Sequence, residues 1–258
     1  MSQATSVTFT LESGIATVTF RGERRLNVVG SEALRGMIAA GAELARDPGL
    51  RLVILTGEGK RAFIGGADIA EMAVFDSRSG RKFITLVHEA CEALRRLPVP
   101  SIARIRGYCL GAGMEIAAAC DLRIGSDDSV YGMPEVQVGL PSVVEAALLP
   151  TLIGWGKTRE LLYTGTQIDA AEAHRIGFLQ NVTPPDNLDA ALQTWIDAIL
   201  AADPAAIRAQ KRLIEYWLDH GIGPGIRESI EIFSATFQSQ APNQRLRAFL
   251  QRPRRPKD

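Results

Sequence analysis

Apolar and polar side chains alternate along two short stretches near the start of the chain, residues 7–11 and 15–20. A period of two is typical of half-buried β-strands, and the Ser13-Gly14 pair between the stretches favours a tight turn. The pattern therefore predicts a β-hairpin.

The apolar period becomes helical after this hairpin. Ser31 is the predicted N-cap of the helix and Asp47-Pro48-Gly49 ends it, with an apolar face formed by Leu34, Met37, Ile38 and Leu44. A short apolar strand is predicted at 51–55.

Strands and helices continue to alternate through the middle of the chain: a helix at 77–97, a strand at 101–106, a short helix at 113–119 and a strand at 122–125. This alternation predicts an α/β fold with a buried, mostly parallel sheet. Beyond Pro141 the pattern is almost wholly helical, and the predicted helices are 143–149, 156–162, 170–175, 188–201, 204–217 and 226–249. Because no low-complexity linker interrupts the chain, we predict one domain, with a core at 1–195 that carries the active site and a helical C-terminal subdomain at 196–258.

Composition narrows the class of protein. Of the 258 residues, 46% are hydrophobic, and 29 basic residues balance 29 acidic ones. A chain of this kind folds into a globule and has no net field to attract nucleic acid or an anionic membrane. The basic tail at 252–257 is expected to be a solvated terminus, although a binding arm is the alternative.

The cysteines and the N-terminus indicate a cytoplasmic protein. Three cysteines without CxxC spacing suit a reducing compartment, and the three histidines belong to no metal-binding motif, so no metal is expected. The first residues lack the features of a signal peptide, and no apolar run reaches the roughly 18 residues of a membrane span.

Two glycine-containing loops, 62–69 and 108–113, each lie between a strand and a helix. Glycine permits close approach of a ligand, and N–H groups at the start of a helix favour negative charge. Either loop could therefore hold an oxygen atom that becomes negative during a reaction. Each could equally be an ordinary strand-to-helix turn.

Two glutamates accompany the second loop. Glu115 lies three residues after Ala112, about one helical turn, so its carboxyl can face the same pocket as the Ala112 N–H. Residues 129–134 can return Glu135 to the same edge. Two carboxyls at one apolar pocket can act as general acid and general base, whereas an acidic residue in a first helical turn is by itself only a stabilising choice.

Nucleotide-binding and hydrolase fingerprints are absent from the sequence. Gly156-Lys157-Thr158 resembles the end of a P-loop, but Thr151 occupies the position of the required glycine. The glycines at 221–225 do not form a GxGxxG motif and follow no strand. No Gly-x-Ser-x-Gly elbow is present.

Over residues 7–253 the chain resembles the crotonase, or enoyl-CoA hydratase/isomerase, superfamily, most closely its hydratases. The resemblance is carried by five spaced motifs in the family's order, at 63–72, 100–103, 106–117, 120–121 and 131–135. It implies a spiral of ββα units with a helical C-terminal region, assembled as homotrimers or homohexamers. It also implies an acyl-CoA thioester as substrate and no separate cofactor, since CoA is part of the substrate.

The resemblance also assigns roles to individual residues. The N–H groups of Ala67 and Ala112 match the two that bind the thioester oxygen, and Glu115 and Glu135 match the two glutamates of the hydratases. Substrate-binding positions carried over or expected beside them are Arg25, Leu26, Gly66, Asp68, Ile69, Gly111 and Val143. For Arg25, a solvated surface charge is the alternative to a phosphate contact.

One segment departs from the family pattern. Where many hydratases have a glycine-rich stretch, this chain has bulky Val143 and Val144, which are expected to reshape the acyl pocket, followed by Glu145. Glu145 belongs either to a helix surface or subunit contact, or to the pocket as a third carboxylate. In the second case water could attack the thioester carbonyl, which makes a bifunctional hydratase/hydrolase acting on small substituted acryloyl-CoAs such as methylthioacryloyl-CoA the alternative function. An enoyl-CoA isomerase and a non-enzymatic RNA-binding relative are the others.

Overall fold

A computed structural model describes residues 4–22 and 26–251 of the chain. Its contacts divide the chain into two compact units, Met1–Ala201 and Ala202–Asp258. The division falls at the end of the helix Leu188–Ala201, whereas the predicted boundary at 195/196 falls inside that helix. The role of the C-terminal region in forming a trimer stays a prediction.

The first unit contains a six-stranded sheet. Its strands, in order across the sheet, are β1 (Ser6–Glu12), β2 (Ile15–Arg21), β3 (Leu52–Gly57), β5 (Ser101–Ile105), β7 (Leu122–Ser126) and β10 (Asn181–Thr183). The antiparallel pair β1–β2 is the predicted hairpin, and the other neighbouring strands are parallel. The predicted α/β class with a mostly parallel sheet is confirmed.

Four strands of three residues each form a second sheet: β4 (Ala62–Ile64), β6 (Tyr108–Leu110), β8 (Val130–Gly132) and β9 (Gln167–Asp169). β4, β6 and β8 each come next in the chain after a strand of the large sheet. The chain therefore repeats a unit that gives one strand to each sheet, followed by helical structure, as expected for ββα units.

In the part of the first unit that the structure describes there are also seven α-helices: α1 (Ser31–Leu44), α2 (Ile69–Met72), α3 (Ser77–Arg95), α4 (Ala112–Ala118), α5 (Leu149–Thr164), α6 (Ala170–Arg175) and α7 (Leu188–Ala201). Successive side chains of a strand point to opposite faces of the sheet. Val53 and Leu55 of β3 accordingly join the main core with α1 and α3, whereas Leu52 and Ile54 pack with α7. Both faces of the sheet are thus buried at β3.

Three local predictions in this unit were wrong. Gly30, not Ser31, is the N-cap of α1, because the Ser31 N–H and hydroxyl both bond to Glu71. The stretch beyond Pro141 also contains strands β9 and β10, each too short to show a period. The predicted helix at 143–149 is a 3₁₀ turn, Val144–Leu148, which leads into α5.

The second unit consists of α8 (Pro204–His220), α9 (Ile222–Thr236) and α10 (Ala241–Leu250). The prediction of one helix at 226–249 was wrong, because α9 ends at Thr236 and a separate helix, α10, begins at Ala241. Pro242 lies in the first turn of α10, where its missing N–H has no cost, whereas in the interior of a longer helix it would break the hydrogen-bond ladder.

Neither a membrane helix nor a metal cluster is found in the described ranges. No helix there is long and apolar enough to cross a bilayer. Likewise, no three or more His, Cys, Asp or Glu side chains within residues 4–22 and 26–251 come together as ligands for a metal ion.

Candidate active site

The first loop presents the N–H of Ala67. Ala67 forms an isolated parallel bridge with Val29, and both hydrogen bonds of the bridge use its neighbours: Val29 N–H donates to Gly66 O at 2.9 Å, and Asp68 N–H donates to Val29 O at 2.9 Å. The Ala67 N–H therefore points away from Val29, and it has no acceptor in the described part of the chain. Gly66 makes this geometry accessible with a φ of +124°.

The second loop presents the N–H of Ala112. Gly111 ends the loop with a φ of +52°, and α4 begins at Ala112, so the N–H of Ala112 has no intrahelical acceptor. Gly113 then lies against β4, where a Cβ would come within 2.3 Å of Ile64 O. This close approach brings the start of α4 beside the strand that leads to Ala67.

A cavity of about 370 Å³ opens between the two loops. It is mainly apolar, and among its lining residues only Glu135 carries an ionisable side chain. Its walls are formed by Gly65, Gly66, Ala67, Ile69, Met72, Ala73, Leu110, Gly111, Pro134, Glu135, Gln137, Val138 and Leu140. The cavity therefore joins an N–H donor to a carboxyl group in an apolar setting.

Glu135 is partly buried on the 3₁₀ turn Pro134–Val138. The hydroxyl of Ser142 donates to its Oε2 at 2.8 Å. Its Oε1 lies so close to Gly111 that a Cβ at position 111 would come within 2.5 Å of it. The loop that presents Ala112 thus also forms the wall against which the Glu135 carboxyl rests.

Glu115 lies deeper, on α4, with only 4% of its surface exposed. Burial, and then the charges of Glu135 and Glu145, raise its pKa from 4.5 to about 8, while the backbone amides of Ala146 and Val143 act in the opposite direction. Its Oε1 accepts no hydrogen bond from any described residue. At neutral pH the Glu115 carboxyl therefore retains its proton.

Glu145 is buried on the turn Val144–Leu148 and lies behind Glu115, not on a helix surface. Its Oε1 lies 2.8 Å from Nδ1 of His88, whose side chain is half exposed. Glu145 is not among the residues that line the cavity. Glu115 also lies outside that lining, and the third carboxyl is close enough to Glu115 for its charge to raise the pKa of that residue.

The remaining predicted residues fall into different places. Leu26 contributes its carbonyl, which accepts the Gly65 N–H at 2.9 Å, and Asp68 caps α2 by accepting from the N–H groups of its first turn. Ile69 lines the cavity and is 64% exposed. Val143 is exposed and does not line the cavity. No contact therefore supports the expectation that its bulk reshapes the acyl pocket. Arg25 lies outside the described residues.

Sequence reasoning missed two residues of the site, Ser142 and His88. Ser142 lies seven residues after Glu135 and reaches it because the chain turns back at Gly139, whose φ is +81°. His88 lies 57 residues before its partner Glu145. Helical spacing does put His88 beside Cys91 of the buried face of α3, but nothing local indicates a distant carboxylate.

The assembled site combines two backbone N–H groups, for which no acceptor is found among residues 4–22 and 26–251, with two carboxyl groups, Glu135 at the apolar cavity and Glu115 behind it. Such donors stabilise an oxyanion, and a buried proton-bearing carboxyl beside a more exposed one provides an acid and a base. This combination suits a reaction in which charge develops on a carbonyl oxygen while a proton moves at a neighbouring carbon.

Comparisons with known proteins agree with this chemistry. The model of the enoyl-CoA hydratase/isomerase family matches residues 10–256. The chain is 33% identical to the short-chain-enoyl-CoA hydratase of Clostridium acetobutylicum and 30% identical to the crotonyl-CoA hydratase of Syntrophomonas wolfei, over 93% of each chain in both cases. The solved structure of an enoyl-CoA hydratase from Mycobacterium smegmatis superposes with a TM-score of 0.91 at 27% identity, covering 97% of this chain and 98% of that one. The chain therefore belongs to the enoyl-CoA hydratase/isomerase family, the crotonase superfamily that its motifs resemble.

Proposed function

We propose that this protein is an enoyl-CoA hydratase, a hydro-lyase that adds water across the 2,3-double bond of a 2-enoyl-CoA thioester. The observation that carries the proposal is the meeting of the Gly111 loop with the Glu135 carboxyl, because it joins an N–H donor and an acid/base group at one cavity. The two relatives named as short-chain and crotonyl-CoA hydratases support a short acyl chain.

The thioester oxygen binds the N–H groups of Ala67 and Ala112. As water adds to the β-carbon, electron density moves onto this oxygen, and the two donors stabilise the enolate that forms. Loss of one such donor typically lowers the rate by about 10² to 10³. Because both donors belong to the backbone, they keep their positions during the reaction.

The two glutamates divide the proton transfers. Before the addition, the proton of Glu115 passes to the Glu135 carboxylate. The ionised Glu115 then takes a proton from the water as the water oxygen bonds to the β-carbon, and Glu135 delivers its proton to the α-carbon, so the net addition is one molecule of water. The charge of Glu135 raises the pKa of Glu115, and hence a proton on Glu135 makes Glu115 easier to ionise. This coupling favours the state with one protonated and one ionised carboxyl, which the reaction needs.

Exchange of either glutamate for its amide tests the proposal. Glu115→Gln and Glu135→Gln keep the shape of the side chain but cannot transfer a proton, and we expect each to lower kcat for hydration of crotonyl-CoA by about 10² to 10⁴. Loss of the enoyl chromophore measures the rate, and circular dichroism checks the fold. Glu89→Gln, on the exposed side of α3, is the matched control. Near-normal hydration by either site variant would refute the assignment.

Thioester hydrolysis is the second reaction to consider, but no observation favours it. It requires a further carboxylate at the acyl pocket, and Glu145 faces Glu115 instead. We expect the purified protein to consume the enoyl chromophore without releasing free CoA, as measured with a thiol reagent. The isomerase alternative is not favoured, since the relatives cited above are named hydratases.

The proposal also covers the oligomeric state, the cellular compartment, the need for a cofactor and RNA binding. We expect a homotrimer or homohexamer in the cytoplasm that needs no resident cofactor or metal and does not bind RNA. Large apolar side chains exposed on α9 and α10 support assembly through this region, among them Ile226, Ile230, Phe233, Leu246 and Phe249. Sedimentation of the full chain measures the oligomeric state, and RNA binding at low salt tests the last point.

A further inference from the structure

Glu145 has no counterpart in the mechanism above, yet it is buried beside the catalytic carboxyl. Only 5% of its side chain is exposed, and its Oε2 has no hydrogen-bond donor among the described residues. The Oε1 of Glu115 is also buried without a donor in that part of the chain. Because an ionised carboxylate is costly to bury without compensation, two such oxygens in one cluster need a shared proton or another donor between them.

The groups that face Glu145 come from α3 and α4. His88 and Cys91 of α3 approach it from one side, and Glu115 of α4 from the other. The thiol of Cys91 has its pKa raised well above the usual value, first by burial and then by the charges of Glu145 and Glu115, so it remains neutral. His88 is therefore the one side chain among these that can carry a positive charge.

The backbone is strained directly before Glu145. Val144, directly before it, has a φ of +40°, which is rare for a β-branched residue and is sustained only where the surroundings require it. The turn Val144–Leu148 packs against both α3 and α4. The strain at Val144 turns Glu145 inward between these helices.

We propose that the His88–Glu145 pair is a positioning device behind the active site, which orients the Glu115 carboxyl and controls the proton that it carries. The proposal rests on the proposed hydratase function, since it assigns Glu145 and His88 to the control of its base. Like Glu115, neither residue lines the cavity. We assign both an action through Glu115 because the charge of Glu145 affects the ionisation of the Glu115 carboxyl, and His88 contacts Glu145.

The chemistry follows from the contacts. A negative charge on Glu145 makes it harder for Glu115 to ionise, and the Oε2 of Glu145 can accept a hydrogen bond from the protonated Glu115. Nδ1 of His88 contacts the other oxygen of Glu145 at 2.8 Å and so fixes the orientation of that carboxyl. Glu115 is thus held as the acid form between turnovers, and it becomes the base when its proton passes to the Glu135 carboxylate, which then holds the proton that is delivered to the α-carbon.

Glu145→Gln tests the control of the proton. The amide removes the neighbouring charge and can donate to ionised Glu115, so we expect the acidic limb of the kcat/KM profile for crotonyl-CoA to move to lower pH by about one unit. Glu89→Gln removes the same charge from an exposed site on α3 and should leave the profile unchanged. A profile for Glu145→Gln that superposes on both the wild type and this control would overturn the proposal.

Variants of the half-exposed His88 test the anchoring without a risk to the core. His88→Leu removes the hydrogen bond to Glu145, and we expect kcat to fall about tenfold while KM for crotonyl-CoA stays constant. His88→Asn places an amide donor near the position of Nδ1 and should restore most of the rate. Wild-type kcat in His88→Leu would overturn the anchoring role.

The two proposals fail in different ways. If the hydratase assignment is wrong, Glu115→Gln remains active. If only the positioning role is wrong, Glu115→Gln is inactive while Glu145→Gln and His88→Leu behave like the wild type.

Discussion

The hydroxyl of Ser142 lies 2.8 Å from Oε2 of Glu135 and donates a hydrogen bond to it. Gly111 confines the other oxygen of the same carboxyl. The Glu135 carboxyl is therefore held on two sides, by a donor and by a steric wall, and Glu135 lines the cavity. Orientation of this kind contributes to catalysis because the proton must be delivered to a defined carbon atom.

Ser142→Ala should lower kcat about tenfold, because it removes one hydrogen bond that orients the Glu135 carboxyl. Ser142→Thr keeps the hydroxyl and should retain most of the rate. Steady-state kinetics with crotonyl-CoA distinguish the two variants. Equal rates for Ser142→Ala and the wild type would show that Gly111 alone is sufficient to hold Glu135.

Gly111→Ala should abolish most of the activity. Its Cβ would lie 2.5 Å from Oε1 of Glu135, and the backbone has a φ of +52°, so the change displaces the carboxyl and strains the donor loop. We expect kcat to fall by about 10² or more. Gly221→Ala is the matched control, because Gly221 also has a positive φ, +72°, but no atom lies within 4 Å of the added Cβ. That variant should lose about 1 kcal/mol of stability and keep its rate.

Glu115 should make the stability of the protein depend on pH. The pKa is raised to about 8 in the folded chain from the ordinary value of 4.5, so the folded state holds a proton that the unfolded state releases between these values. The contribution of Glu115 to stability is therefore full below about pH 4.5 and is lost as the pH rises through about 8.

Urea unfolding of the wild type and Glu115→Gln at about pH 5 and about pH 9 measures this effect. The neutral amide has no such pH dependence. As the pH rises over this range, we expect the free energy of unfolding of the variant to increase relative to that of the wild type by at most about 5 kcal/mol. A constant difference between the two proteins would contradict the raised pKa.

Arg123 should be a stability residue that supports α4. It is buried, and its guanidinium donates to three carbonyls, Phe178 O at 2.7 Å, Cys120 O at 2.7 Å and Ala117 O at 3.2 Å. Arg123→Met removes three hydrogen bonds to buried carbonyls, and we expect the free energy of unfolding to fall by about 3 kcal/mol and Tm by about 6–12 °C. Arg175→Met, whose side chain is 69% exposed and pairs with Glu172, should change stability by less than about 0.5 kcal/mol. Calorimetry checks both, and similar Tm values for the two variants would contradict the role of Arg123.

The strands of the small sheet were beyond sequence analysis. β4, β6, β8 and β9 have three residues each, which is too short for a period of two to be recognised. Each is formed by pairing with a segment distant in the chain. The long strands and the helices α3 and α4, by contrast, were predicted to within a few residues because their own apolar periods are long enough to be seen.

The residues of the site also divide into those that local motifs identify and those that only tertiary packing brings together. The loops around Gly66 and Gly111, together with Glu115 and Glu135, were identified from local motifs and from the family resemblance that those motifs carry. Ser142 and His88 were missed, because their partners are brought to them by a turn at Gly139 and by packing of α3 on the turn Val144–Leu148.

By itself, the sequence determined the family, the α/β class and the candidate acid/base pair, since these depend on residue type and spacing along the chain. Only the tertiary structure decided that Glu115 is buried with a raised pKa while Glu135 lines the cavity, and that Glu145 is buried close enough to Glu115 for its charge to raise that pKa. The physical reason is that burial and the charge of neighbours are properties of three-dimensional packing, so carboxyls of the same residue type acquire different environments only after the chain has folded.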